Sequence, residues 1–480
     1  MANPKFNVKY CVLLPIVLIA TILLWALPVS SFGIEGLTVV QQRMIAIFVF
    51  AALMWMFEII PNWTTSLIVI VLMLLTVSNK GLGFLCKPEF GTLVDYKSIM
   101  ASFADPVVML FLGGFVLAIV ASKYGMDAVI AKGLLGLFGK KPKFVLLGFL
   151  IIISIFSMFM SNTATAAMML AFLAPVLKAL PEDETGKVGL ALSIPVAANL
   201  GGIGTPPNAI AIGALENAGY QIGFATWMSR MVPFVIVMIL LAWVLLRIFF
   251  PFKSDKIELK IEAKSHKWHW KDYVAWITFF LTIILWVTES WTKINSNVVA
   301  LIPLAVYTCC GVFSKEDIKE INWSVLWLVA GGFALGTGLN KTGLAATLIN
   351  AIPFSSMNVV LVLIIAGLVC YFLSNFISNS ATAALLVPIL VVVGTAMADP
   401  SAANNAQFMS MGGMYAMIPF IAMCASIAML FPISTPPNAI ASSTGLVETS
   451  QMAKVGAIIG VIGFILGYFL LTAIFPFPTA

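Results

Sequence analysis

Two short polar strings, each present twice, hold the residue types best placed to do chemistry. They are Ser161-Asn162-Thr163 with Ser378-Asn379-Ser380, and Thr205-Pro206-Pro207-Asn208 with Thr435-Pro436-Pro437-Asn438. Each interrupts an apolar run. Pro206-Pro207 and Pro436-Pro437 remove two consecutive backbone donors, so no continuous helix passes through them. Gly201, Gly202 and Gly204 loosen the first break further. Freed carbonyls together with Ser, Thr and Asn oxygens make a hard-oxygen cage without fixed charge, which suits a small hard cation such as sodium. The helix N-termini that start at the breaks offer unpaired N–H groups and partial positive charge, which suit a carboxylate or sulfate. One terminus contributes about 0.3–1 kcal/mol, so several must converge on a single anion. No Lys or Arg sits beside these strings; Lys178, Lys187, Arg230 and Arg247 lie in a loop or toward helix ends. An anion held there needs bound cations to balance it, which favours cation-coupled symport over anion exchange.

The elements that position these strings are membrane helices. Of 480 residues, 61% are hydrophobic and 10% charged, with a mean hydropathy of +1.06; soluble domains average about 25% charged. This excludes a soluble enzyme, a disordered chain and a nucleic-acid binder, and the net charge of +6 sits in loops. A membrane helix needs about 20 apolar residues. Eleven spans fit: 11–29, 38–60, 64–78, 106–122, 188–213, 231–251, 272–290, 297–313, 323–339, 411–432 and 453–475. Two further stretches, 144–180 and 357–397, are broken halfway by the Ser-Asn strings and read as re-entrant hairpins. Lys132, Lys140, Lys141 and Lys143, the lysines of 252–271, and Lys315 and Lys319 all fall on one side if the N-terminus is cytoplasmic. That agrees with the positive-inside rule and leaves the C-terminus outside. The run Lys256–Lys264 has charges at helical spacing and is expected to be a surface helix.

The chain contains itself twice. Trp55–Glu58 returns as Trp286–Glu289, Gly113-Gly114-Phe115 as Gly331-Gly332-Phe333, and Lys123-Tyr124-Gly125 as Lys341-Thr342-Gly343, followed by the two polar strings in the same order. The offsets run from 217 to 231 residues. Five crossings plus a hairpin make an odd count, so the second copy enters the membrane inverted, as in secondary transporters. The expected organisation is an N-terminal helix (1–37) outside the repeat, a first repeat (38–251), a basic cytoplasmic linker (252–271) and a second repeat (272–480).

Other reactive types are few. Six cysteines form no CxxC and read as small buried hydrophobes. His266 and His269 share one polar linker, so no intramembrane histidine relay or metal cluster is expected. Glu58 and Glu289 occupy matched helix ends and are expected to anchor them, with proton carriage the alternative. The apolar run from Cys11 is longer than a signal-peptide core and reads as the first membrane helix.

These motifs, as a set and over nearly the whole chain, resemble the divalent anion:sodium symporter family of dicarboxylate, tricarboxylate and sulfate transporters. The resemblance implies an elevator-type homodimer, in which a scaffold domain holds the dimer and a transport domain slides. It implies one sodium site at Ser157, Ser161, Asn162 and the backbone near Gly204. A second is implied at Ser374, Asn379 and the backbone near Ile377 and Ser434. Asn162, Thr163, Thr205, Asn379, Ser380 and Thr435 would meet the substrate carboxylates, with Pro206 and Pro436 shaping the pocket. The expected function is sodium-coupled import of C4 dicarboxylates (succinate, malate, fumarate) across an inner membrane, with no cofactor beyond the coupling ions. Sulfate or citrate transport and sodium-independent exchange are the alternatives. One departure stands out: the second tip has Ser380 where the family commonly has Thr, which puts pocket size in question.

Overall fold

The computed structural model describes residues 9–159, 161–202, 205–257, 268–351 and 353–474. The expected surface helix in the linker, His266, Gly204 and the last six residues lie outside the described residues. Among the described residues the chain is helical throughout, with a single isolated bridge between Ser78 and Val94.

The chain opens with α1 (Leu14–Ala26), α2 (Val39–Phe57) and α3 (Asn62–Thr76), then α4 (Tyr96–Met100), α5 (Pro106–Lys123) and α6 (Met126–Leu137). A first helical hairpin follows, α7 (Pro142–Phe159) and α8 (Asn162–Ala179), then α9 (Gly186–Leu200), α10 (Pro206–Asn217) and α11 (Phe224–Phe249). Next come α12 (Trp270–Val287), α13 (Glu289–Thr292), α14 (Ser296–Val299), α15 (Leu301–Cys309), α16 (Trp323–Lys341) and α17 (Leu344–Ala351). The second hairpin is α18 (Val359–Ser374) and α19 (Asn379–Ala398), followed by α20 (Asn405–Ser410), α21 (Met414–Ser426), α22 (Pro436–Ser443) and α23 (Thr449–Phe469). Among the described residues, seven helical segments are long and apolar enough to cross a membrane by length and composition, and eight shorter apolar helices accompany them.

The boundaries follow local chemistry. Thr38 and Gln41 form a capping box at the start of α2. Ser161 Oγ accepts from the Ala164 N–H and Ser378 Oγ from the Ala381 N–H, so matched serines cap α8 and α19. Pro206 and Pro436 take the first position of α10 and α22, where a missing N–H is harmless.

The span expected at 106–122 is α5, Pro106–Lys123, and a short helical lead-in from Tyr96 to Ala104 precedes it. Asp105 separates the two and caps the Val107 N–H at 2.9 Å. Two differences from the sequence expectation remain. The span expected at 297–313 is two short helices, α14 and α15. The amphipathic helices α6 and α17 were not anticipated, being too short to register as membrane spans; both follow a glycine at positive φ, Gly125 and Gly343. One cation also lies inside an apolar run. Arg43 is buried in α2 and gives its guanidinium to the Thr76 and Leu85 carbonyls, the first at 3.3 Å.

The centre of the molecule is where α10 packs on α19 and α21, and α9 on α7, α8 and α22. α21 is buried along its whole length, and α9 along all of it except Lys187 and Val188. The two broken helices and the two hairpins therefore form one block, enclosing the polar strings.

Candidate functional site

The first hairpin tip is built around one hydroxyl. Ser157, at the end of α7, is fully buried, and its Oγ lies 2.5 Å from Asn162 Oδ1 and 2.7 Å from the Ala198 carbonyl oxygen. The second tip repeats this with different residues. Ser374 Oγ lies 2.8 Å from Asn379 Oδ1 and 2.9 Å from the Ala425 carbonyl oxygen. A hydroxyl has one proton to give. At each tip two acceptors lie within hydrogen-bond distance of it, so its single proton serves one of them at a time. That is a surplus of lone pairs in a buried place, the electrostatic condition for a small cation.

The breaks are tied to the tips and to each other. Thr205 Oγ1 donates to the Gly202 carbonyl at 2.5 Å, and Asn208 Nδ2 donates to the same oxygen at 2.6 Å. A side chain at Gly202 would press on Thr205 and reach Asn162, so this glycine lets the tip and the break meet. In the second copy, Thr435 caps α22 by accepting from the Asn438 N–H, while Asn438 Nδ2 donates to the Met429 and Phe431 carbonyls.

Asn199 then joins the two copies. It is fully buried, accepts from Asn162 Nδ2 at 3.4 Å, and its own Nδ2 lies 3.1 Å from Thr435 Oγ1 and 3.3 Å from Asn438 Oδ1. The reciprocal link runs from Asn208 Nδ2 to Ser426 Oγ at 3.4 Å. Each break thus reaches the helix that precedes the other break.

Of the residues expected at the cation sites, Ser157, Asn162, Ser374 and Asn379 are brought together as described. Ser161 and Ile377 stand at the tips, Ser161 with its oxygen engaged in capping. Ser434 donates to the Asn375 carbonyl at 2.8 Å and accepts from the Phe431 N–H. Among the expected substrate residues, Thr205 and Pro206 line one cavity with Ser161, Phe111 and Trp286. Thr435 and Pro436 line a second, wider one with Ser378, Ser434 and Glu58. Thr163 and Ser380 are placed on the first turns of α8 and α19 and line neither cavity. Glu58 ends α2 at a positive φ of 45°, and Glu289 accepts from the Ser296 N–H.

Sequence reasoning missed Asn199, Asn375 and the carbonyls of Ala198 and Ala425. Asn375 accepts from the Leu430 N–H at 2.9 Å and gives its Nδ2 to Tyr371, fixing the second break to the second hairpin. A lone Asn in an apolar run was the available signal. Among the described residues, every hydrogen-bond partner of these site side chains is a hydroxyl, an amide or a backbone group. No metal-binding cluster of His, Cys, Asp and Glu occurs among the described residues.

Comparison with known proteins agrees with this architecture. Residues 52–413 match the citrate transporter family. The chain is 29% identical to the sodium-dependent dicarboxylate transporter SdcS of Staphylococcus saprophyticus, over 82% of this chain and 81% of that protein. It is 31% identical to an uncharacterized transporter of Schizosaccharomyces pombe and 29% identical to the inorganic phosphate transporter PHO87 of Saccharomyces cerevisiae. These matches cover 75% and 76% of this chain, which spans only 42% and 40% of the length of those two yeast proteins. The crystal structure of the YdaH transporter of Alcanivorax borkumensis shares the fold at a TM-score of 0.54, with 12% identity, 80% of this chain and 89% of that one covered. The chain belongs to the citrate transporter family and is a multi-pass membrane transporter, not an enzyme.

Proposed function

We propose that this chain is a sodium-coupled symporter that imports C4 dicarboxylates of the succinate, malate and fumarate type. The observation that carries the reading is the matched pair of oxygen clusters, Ser157/Asn162/Ala198 and Ser374/Asn379/Ala425, with no basic side chain bonded to either among the described residues. Sodium at each cluster would supply the positive charge that a dicarboxylate requires. The helix N-termini at Asn162, Asn379, Pro206 and Pro436 would supply the N–H groups. The name of the Staphylococcus relatives, a sodium-dependent dicarboxylate transporter, supports the same substrate class.

In this reading the eleven crossings and two hairpins form an inverted repeat in the plasma membrane, with the N-terminus cytoplasmic and the C-terminus outside. Hairpins and broken helices travel together as the transport domain of a homodimer, in an elevator motion against the scaffold. Sodium binds first, orders both tips and so creates the anion site.

The test is uptake of labelled succinate into proteoliposomes with an inward sodium gradient, and with potassium in its place. Sodium-dependent uptake that is lost in Asn162→Ala and Asn379→Ala supports the class and the site. Uptake indifferent to sodium and driven by internal dicarboxylate means an exchanger and overturns the cation assignment. The similarity to a phosphate transporter favours one second reading, a sodium-coupled carrier of a tetrahedral oxyanion. Sodium-dependent uptake of phosphate or sulfate without succinate would establish that instead.

A further inference from the structure

Two threonines stand one turn beyond the tips, in matched places. Thr165 follows Asn162 by three residues, and Thr382 follows Asn379 by three. Both are 0% exposed. Both hydroxyl oxygens are buried without a hydrogen-bond partner among the described residues. Several helical threonines elsewhere in this chain satisfy themselves by donating to the carbonyl four residues back, as Thr76, Thr282, Thr342 and Thr395 do at 2.6–2.8 Å, while Thr65 in α3 is also buried without a partner among the described residues but has no match in the repeat. Buried polar groups are rarely left unpaired, and an unpaired one calls for a specific explanation such as an ion. Here the same omission occurs twice, at the same position of the repeated motif.

Residues three apart on a helix share a face, with Cβ atoms about 5–6 Å apart. Thr165 therefore neighbours Asn162 on α8, and Thr382 neighbours Asn379 on α19. The same faces meet the oxygen clusters of Ser157 with Ala198 and of Ser374 with Ala425. A threonine hydroxyl carries two lone pairs, and threonine in a helix has two accessible χ1 rotamers. We propose that Thr165 and Thr382 are cation ligands, each turning its hydroxyl oxygen onto the sodium ion bound at its own tip. The inference rests on the sodium-coupled reading above and adds one oxygen to each cage.

A merely structural role predicts the opposite behaviour. Replacing a buried hydroxyl that has no partner with a methyl group of the same shape is neutral or stabilising. The experiment compares Thr165→Val, Thr382→Val and the corresponding Ser variants in purified full-length protein. Two readouts are taken: the sodium concentration that half-protects against thermal unfolding, and the sodium dependence of succinate uptake. The expected result is a rise of about tenfold or more in half-saturating sodium for each Val variant. Ser variants stay within about threefold of the parent, and the KM for succinate at saturating sodium is nearly unchanged. Where Val does not assemble, Thr→Ala removes the hydroxyl without crowding and is read the same way. Val variants with the parent's sodium dependence overturn the proposal, as do Ser variants that lose as much as Val, since the methyl would then be what matters. A parent protein without any sodium dependence overturns the symport reading itself, which the unmodified protein reveals before any variant is made.

Discussion

Replacing Asn199 by alanine removes an amide that accepts from Asn162 and faces both Thr435 and Asn438, all in a water-excluded place. Each buried group left unpaired costs about 1–3 kcal/mol. Asn199→Ala is expected to lower the melting temperature in detergent and to cut uptake by more than tenfold. Asn217→Ala, at the exposed end of α10, serves as the control. If both variants melt and transport alike, Asn199 does not join the two halves. Ser380→Thr is a gentler change. It adds one methyl on the first turn of α19 and is expected to keep sodium dependence while altering the uptake ratio of succinate to phosphate by a few fold. A ratio unchanged within error would remove Ser380 as a determinant of substrate choice. The serines and asparagines of the tips were readable from sequence because they recur. Asn199 was not, because its counterpart by position is Ser426 and not a second asparagine, so the repeat gives no sign of it. Ala198 and Ala425 contribute only carbonyls, which every residue has, and no side-chain pattern could single them out.

At the scale of helices, the repeated Gly-Gly-Phe has a steric reason that its spacing alone does not state. A Cβ on Gly113 would lie 2.0 Å from the Ala300 carbonyl oxygen, and one on Gly331 would lie 2.4 Å from the Ser66 side chain. Gly114 has no neighbouring atom within 4 Å. Only the first glycine of each pair admits a close helix crossing, α5 against α14–α15 and α16 against α3. Gly113→Ala is expected to destabilise by about 1–3 kcal/mol through overpacking, whereas Gly114→Ala leaves the melting temperature unchanged or slightly raised; equal effects would refute the assignment. A second element-level device lies at the mouth of the first hairpin. The buried Glu184 carboxylate accepts from the Gly186, Lys253 and Ser254 N–H groups and from Ser254 Oγ, pinning the segment after α11 to the loop before α9. Burial works to raise this carboxyl, and the hydrogen bonds from Ser254, Lys253 and Gly186 outweigh it, holding it below the ordinary glutamate range. A depressed carboxyl contributes stability that is present above its unfolded value, about 4.3, and is lost as pH falls through the folded one. Glu184→Gln is expected to melt lower at pH 7, with the gap to the parent closing below about pH 4. A gap independent of pH would show that charge plays no part. Helix positions were largely legible because apolar runs are long. The helical lead-in at Tyr96–Ala104 and helices α6 and α17 were not, since that lead-in mixes polar and apolar residues and α6 and α17 fall short of a membrane span.

At the scale of the whole molecule, charge balance is the question. Each half of the sequence contributes one oxygen cluster, and among the described residues neither cluster has a basic side chain bonded to it. If each holds one sodium ion, a doubly charged succinate is carried with two positive charges, and the loaded transport domain is neutral. A third sodium would leave one net charge crossing the membrane, worth about 2.3 kcal/mol per 100 mV, or a bias of about 50-fold. The expectation is therefore that succinate uptake into liposomes, clamped by potassium and valinomycin at zero and at 100 mV inside negative, differs by less than twofold. A Hill coefficient for sodium near two should accompany it. The charge of the cargo supplies the control: with two sodium ions fixed, a trianion such as fully ionised citrate would carry one net negative charge inward, and the same potential should slow it. Acceleration of succinate uptake by an inside-negative potential would mean a cation beyond the two clusters, and the search for it would begin in the cavity that Glu58 shares with Ser378 and Ser434. That cavity adjoins the second tip with a carboxylate on its wall, and Glu58 comes from the first half of the sequence while Ser378 and Ser434 come from the second, so a third ion there would stand outside the twofold pattern that the clusters obey.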